Sequence, residues 1–183
     1  MSILKIAKMG HPILSQKAKL VEDVQHQVIK KLVLDMIETM IDSSGIGLAA
    51  PQVYQSVRII IFKVPLERMG KGEENIELTT LINPVIEILS AEKEEGIEGC
   101  LSLPGMIGMV PRNKHIRYSG FSIDGVMIER EAHNYHARVV QHECDHLDGI
   151  LYPSRMEDLK SFGYVDEIQK SEINLHLKVE END

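Results

Sequence analysis

The chain has 183 residues, 43% of them apolar and 26% charged, with a formal net charge of −8 and only two cysteines. That is the composition of a globular chain with enough apolar material for one sizeable core, so a single domain over 1–183 is expected. It excludes a disulfide-stapled scaffold, a chain built on membrane spans and a general nucleic-acid binder, whose surface would be basic, although a local basic patch stays open. The first residues, Met1-Ser2-Ile3-Leu4-Lys5-Ile6-Ala7-Lys8, lack the long apolar region of a secretory signal, which points to a reducing cytoplasm.

In chain order, the first element is an amphipathic helix from Asp23, with Val24, Val28, Leu32, Met36 and Met40 as its apolar stripe and Ser43-Ser44-Gly45 as its stop. Gly45-Ile46-Gly47-Leu48-Ala49-Ala50 then satisfies the glycine pattern of a dinucleotide loop. It follows a helix rather than a strand and runs into Pro51, so the strand, turn and helix needed to hold a pyrophosphate are missing. The glycines better suit the close approach of a peptide backbone, and Gln52 offers an amide that can donate a hydrogen bond.

The β-branched run Val57 to Val64 reads as a strand in a covered sheet, and Thr79 to Leu89 as another with Asn83-Pro84 near its start. Between them, the polar stretch from Glu67 to Asn75 is a surface loop. The segment Glu98-Gly99-Cys100-Leu101-Ser102-Leu103-Pro104-Gly105 has the glycines and proline of a loop that brings backbone close to a bound group. Standing alone, Cys100 would be read as a small buried apolar residue. His115 to Phe121 and Val126 to Arg130, joined through Asp124-Gly125, resemble a hairpin.

A helix is expected from about Ala132 to Gly149, and it carries the most informative residues of the chain, Gln141-His142-Glu143-Cys144-Asp145-His146. At about 100° per residue, His146 lies roughly 40° round the helix from His142, so both imidazoles reach one ion, with Glu143 beside it. This is the spacing of a metal held by two neutral imidazoles and a carboxylate placed to take a proton from the water it activates. Cys144 lies about 200° round from His142 and faces away as a core residue, which leaves Cys100 as the candidate third ligand. After Pro153, Ser154 to Lys170 reads as helical, and about 171–183 is a charged tail with no visible chemistry. Helix, then strands, then a late site-bearing helix argues for α+β, with a largely antiparallel sheet packed around the metal-binding helix.

Taken together, Gly45 to Gln52, Glu98 to Ser102 and Gln141 to His146 resemble the peptide deformylases in content, order and separation. The resemblance implies that Cys100, His142 and His146 ligate the metal and that Glu143 is the catalytic acid and base. It further implies that the Gln52 side chain and the Leu101 backbone N–H form the oxyanion hole and that Gly47 holds the substrate backbone. Ile46 and Tyr135 resemble members of the pocket for the methionine side chain, although a half-buried packing role accounts for Tyr135 as well. Family members often have Gly and an apolar residue where this chain has Asn134-Tyr135. Asn tolerates a positive φ better than most residues.

The implied reaction is removal of the formyl group from formylmethionine at the start of nascent bacterial polypeptides, and the expected setting is the ribosome, with the enzyme a monomer. The implied cofactor is ferrous iron, with zinc, nickel or cobalt as substitutes. Two rival readings share the motif. A metallopeptidase would usually bring a His or Glu as third ligand, and a non-enzymatic module would close the ion with a fourth protein ligand.

Overall fold

The β-branched run becomes β2 (Ile59–Val64), whose residues alternate between two buried faces. Ile59 and Ile61 pack toward α1 (Gln27–Asp42), while Ile60 and Phe62 pack toward α2 (Asn134–Leu147). Burial on both faces is why the run is apolar without alternation. The structure, a computed structural model, describes residues 2–68 and 75–170. Most of the expected loop at 67–75 and the whole of 171–183 fall outside them.

Two antiparallel sheets flank α2. The five-stranded sheet runs β1 (Gly47–Ala49), β2, β3 (Ile76–Ile88), β6 (His115–Phe121), β7 (Met127–His133). The three-stranded sheet runs β4 (Lys93–Cys100), β5 (Leu103–Asn113), β8 (Gly163–Tyr164). Ala137, Val140, Cys144 and Leu147 of α2 bury against Phe62, Leu81 and Tyr118 of the larger sheet. Leu103 and Val110 of β5 close a smaller core with Leu14, Leu151 and Tyr152. The α+β class and the late helix packed between antiparallel sheets agree with the sequence reading.

Several boundaries differ from it. α1 starts at Gln27, not Asp23, because the His26 ring accepts a hydrogen bond from Val28 N and caps the helix there. Val28 is 65% exposed. Four-residue steps drift about 40° each round a helix, so the early valine has rotated off the face that Met36 and Met40 bury. The hairpin is present but longer, its second strand reaching His133, and α2 therefore begins at Asn134. Asn134 takes φ +47°, and Gly149 beyond the helix end takes φ +72°. Residues 154–170 are not one helix. They form 3-10 turns at Tyr152–Arg155 and Leu159–Ser161, then β8, with helical backbone only at 165–170.

Candidate metal centre and its cavity

The segment read as a loop around Cys100 is the turn between β4 and β5. The two strands pair from Lys93/Asn113 to Cys100/Leu103, with an irregularity between Gly99 and Cys100. That turn projects Cys100 at α2, where Cys100 Sγ lies 3.3 Å from His146 Nε2. One ligand atom from each of Cys100, His142 and His146 falls within 4.8 Å of the others. The two imidazoles sit one helical turn apart with ring centroids 5.1 Å apart and planes at 79°. Cys144 is buried among apolar neighbours on the far side of α2, and burial pushes its thiol up, as expected for an inert core cysteine.

Electrostatics favour a charged sulfur at Cys100. Burial opposes ionisation, but His146 and His142 outweigh it and hold the thiol well below its usual range. A thiolate with two imidazoles is a donor set suited to zinc or iron(II), so the residues fit a divalent ion.

His142 is oriented from behind by a buried carboxylate. Glu98 Oε2 accepts from His142 Nδ1 at 2.8 Å, which leaves Nε2 facing Cys100 and His146. The same carboxylate accepts from Arg112 Nε at 2.8 Å, Arg112 Nη2 at 3.0 Å and Arg138 Nη1 at 2.9 Å. Burial alone would raise Glu98, yet the bonds from His142 and Arg112 win and hold its carboxyl at about 2. Arg112 continues to Asp145 Oδ2 at 2.6 Å, and Arg155 caps that carboxylate at 2.7 Å. Two buried acids, Glu98 and Asp145, thus balance two buried arginines, Arg112 and Arg138.

Glu98, Asp145, Arg112 and Arg138 are not among the site residues expected from the sequence. Two signals were available. Arg138 sits one turn before His142 on the same helical face, and Glu98 sits two residues from Cys100 on the same face of a strand.

Glu143 is 5% exposed and its Oε2 has no hydrogen-bond partner among the described residues. Burial lifts its carboxyl to about 7, where a group gives and takes protons near neutrality. Gly47 lies against it so closely that a Cβ would overlap the carboxylate. That contact, rather than a positive φ, is the reason for glycine at 47.

Gln52 is buried at the end of the same segment. Its Oε1 accepts from Ala49 N at 2.8 Å, which fixes the amide so that Nε2 donates to Ser102 Oγ at 3.1 Å and Cys100 Sγ at 3.4 Å. Leu101, in the β4–β5 turn, packs its side chain against Gly45. A cavity of about 730 Å³ opens here, and Ile46, Gly47, Gln52, Cys100, Leu101 and Glu143 all line it. Tyr135 lines it too, half-buried, with the Arg68 guanidinium 5.9 Å from its ring centroid. His146 sits behind Cys100, almost wholly buried. All nine residues singled out in the sequence therefore converge on one place. The Gly45–Ala50 segment contains the whole of β1, leads into a 3-10 turn at Ala50 and gives Gly45, Ile46 and Gly47 to the cavity wall, so it is not a strand–turn–helix nucleotide loop.

The profile of the polypeptide deformylase family matches residues 3–162. Peptide deformylase 2 of Bordetella bronchiseptica is 50% identical over 161 residues, covering 88% of this chain and 92% of that one. Peptide deformylase 1 of Nitrosomonas europaea is 47% identical over 164 residues, 90% of this chain and 93% of that one. Among solved structures, the Ehrlichia chaffeensis peptide deformylase in complex with actinonin superposes with a TM-score of 0.80 at 38% identity, covering 88% of this chain and 92% of that one. The Met-Ala-Ser-bound class I type b peptide deformylase of Acinetobacter baumannii gives 0.77 at 36%, covering 84% and 98%.

Proposed function

The chain belongs to the peptide deformylase family, and we propose that it hydrolyses the formyl group from N-terminal formylmethionine of nascent polypeptides with the nine residues gathered at the cavity. The observation that carries this reading is the convergence on one cavity of a Cys–His–His donor set, a buried carboxyl poised at about 7 and an anchored amide donor. Cys100, His142 and His146 would hold one divalent ion, ferrous iron by family, with zinc, nickel or cobalt able to use the same donors. Such an ion supplies Lewis acidity and an activated water at neutral pH.

The chain's own residues do the rest. Glu143 accepts the proton of the attacking water and returns it to the leaving nitrogen, because an amide anion departs too slowly unprotonated. The Gln52 Nε2 group and the Leu101 backbone N–H supply donors for the oxygen that becomes negative. Gly47 keeps the wall beside Glu143 free of side chain, so an extended peptide backbone can lie there. Ile46 and Tyr135 form the wall offered to the methionine side chain. Glu98 holds the His142 ring in place. Substrate would arrive on chains leaving the ribosome in the cytoplasm; among the described residues no helix is long and apolar enough to cross a membrane.

The test is product identity. The protein loaded with iron(II) or nickel without oxygen should release formate from formyl-Met-Ala-Ser and leave Met-Ala-Ser whole. Cleavage of the unformylated peptide would instead support the metallopeptidase reading.

A further inference from the structure

A second group of metal-capable side chains stands on the β6–β7 hairpin, apart from the cavity. His115 and His133 are cross-strand partners, and two residues along each strand Arg117 faces Glu131. Asn134 N donates to Lys114 O at 2.8 Å at one end of the hairpin and Ser122 N to Val126 O at 2.8 Å at the other, a phase that makes 115/133 a non-hydrogen-bonded pair. Side chains of such a pair approach most closely, and the two imidazoles stack with centroids 4.0 Å apart and planes at 21°. Their alternates in sequence, Ile116 and Ala132, are buried, so the histidines lie on the outer face of the sheet. β7 is the edge strand of that sheet, and Glu131 and His133 are exposed.

We propose that His115, Glu131 and His133 form a second divalent-metal site, selective for copper(II), zinc or nickel over magnesium and calcium. One ligand atom from each residue lies within 4.8 Å of the others, and His115 Nε2 is 2.9 Å from Glu131 Oε2. Two imidazoles and one carboxylate are a recurrent zinc donor set, with water completing the shell of an ion on an open face. Ligand nitrogens about 2 Å from a tetrahedral ion stand a little over 3 Å apart. Side-chain rotation on an exposed face is therefore enough to admit the ion in place of the His115–Glu131 hydrogen bond.

Arg117 shapes this site. It donates from Nη2 to Glu131 Oε1 at 2.9 Å and from Nη1 to Glu87 Oε2 at 3.0 Å. Glu131 thus presents its other oxygen, Oε2, to the histidines. The arginine charge also repels an incoming cation, so the site is weaker than the buried thiolate centre, and the two should fill in sequence. A consequence follows for the first site: bulk metal analysis of protein kept in excess zinc or nickel counts two ions per chain, not one.

The experiment loads the protein with one equivalent of nickel, then titrates zinc at pH 7.5 by equilibrium dialysis, following the His115 and His133 C2-proton resonances. The expected result is a second equivalent that broadens or shifts those two resonances. His133→Ala and His115→Ala should each weaken the second equivalent at least tenfold, with circular dichroism and formate release unchanged. Arg117→Gln should tighten it severalfold, which a mere surface ion-pair network would not do. Cys100→Ala should lose the first ion and keep the second. Equal stoichiometry in wild type and a His115→Ala/His133→Ala double variant, or a second ion that leaves both resonances unmoved, would overturn the proposal.

Discussion

Replacing Glu98 by glutamine should damage both stability and metal binding, because one buried carboxylate serves three partners. Its two oxygens accept from Arg112 twice, from Arg138 and from His142. Glutamine keeps the shape but turns one acceptor into a donor. Whichever way the amide lies, two N–H groups then face an N–H group, and Asp145 is left to balance two buried arginines. Breaking one side of a buried ion pair costs about 3–5 kcal/mol. The pKa gives a second route to the magnitude, since a carboxyl held at about 2 rather than 4.5 corresponds to about 3 kcal/mol. The two routes agree.

For a chain of this size that loss lowers Tm by roughly 6–20 °C. It should be measured by urea and thermal unfolding with a chelator present, so that lost metal affinity does not enter. The sign with pH is fixed. A depressed carboxyl stabilises the fold above its unfolded value of 4.5 and loses that contribution as pH falls toward 2. The gap between wild type and Glu98→Gln should therefore close over that interval. In the same variant, metal affinity should fall about 10- to 100-fold as the His142 ring loses its acceptor. A stability loss below about 1 kcal/mol, or a gap that does not change between pH 5 and pH 3, would refute the reasoning.

Three further outcomes are expected. If Gln52 is the proposed oxyanion donor, Gln52→Ala should lower kcat about 10²- to 10³-fold with metal retained; a change confined to KM would place Gln52 in binding alone. Gly47→Ala should push a methyl group into the Glu143 carboxylate and lower kcat/KM by about 100-fold, checked by steady-state formate release; full activity would remove that contact from the account. Cys100→Ala should release the ion during dialysis against a mild chelator, whereas Cys144→Ala should keep it; the opposite result would reverse the two cysteines.

The elements best read from sequence are those whose burial is local. The His142–His146 helix, the two-faced run at Ile59–Val64 and the hairpin around Asp124-Gly125 each carry their own periodicity or turn chemistry. β4 and β5 do not. Lys93-Glu94-Glu95-Gly96-Ile97-Glu98 is polar with its apolar Ile97 exposed, and β5 holds Pro104 and Pro111 where a strand is not expected. Their pairing with each other makes them strands. β8 meets β5 only at Met106 and Ile107, so Pro111 lacks a neighbour on that side that would need its missing N–H. At the site, His142, Glu143, His146 and Cys100 were legible from residue type and spacing, and Gln52, Leu101, Gly47, Ile46 and Tyr135 through the resemblance to the family. The Glu98–Arg112–Arg138–Asp145 network was not, because its members come from β4, β5 and α2 and meet only in the folded chain. Asn134 takes a left-handed φ of +47°, a conformation that asparagine tolerates better than most residues, at the start of the site-bearing helix.

The most direct measurement pairs metal content with formate release for wild type and Glu143→Ala, each loaded with nickel and given formyl-Met-Ala-Ser. The account expects one ion left in both after dialysis against metal-free buffer, formate from the wild type, and a loss of nearly all turnover in the variant. Substantial formate release from metal-loaded Glu143→Ala would contradict it, because among the described residues the other carboxylate on the cavity wall, Glu98, is engaged by two arginines and His142.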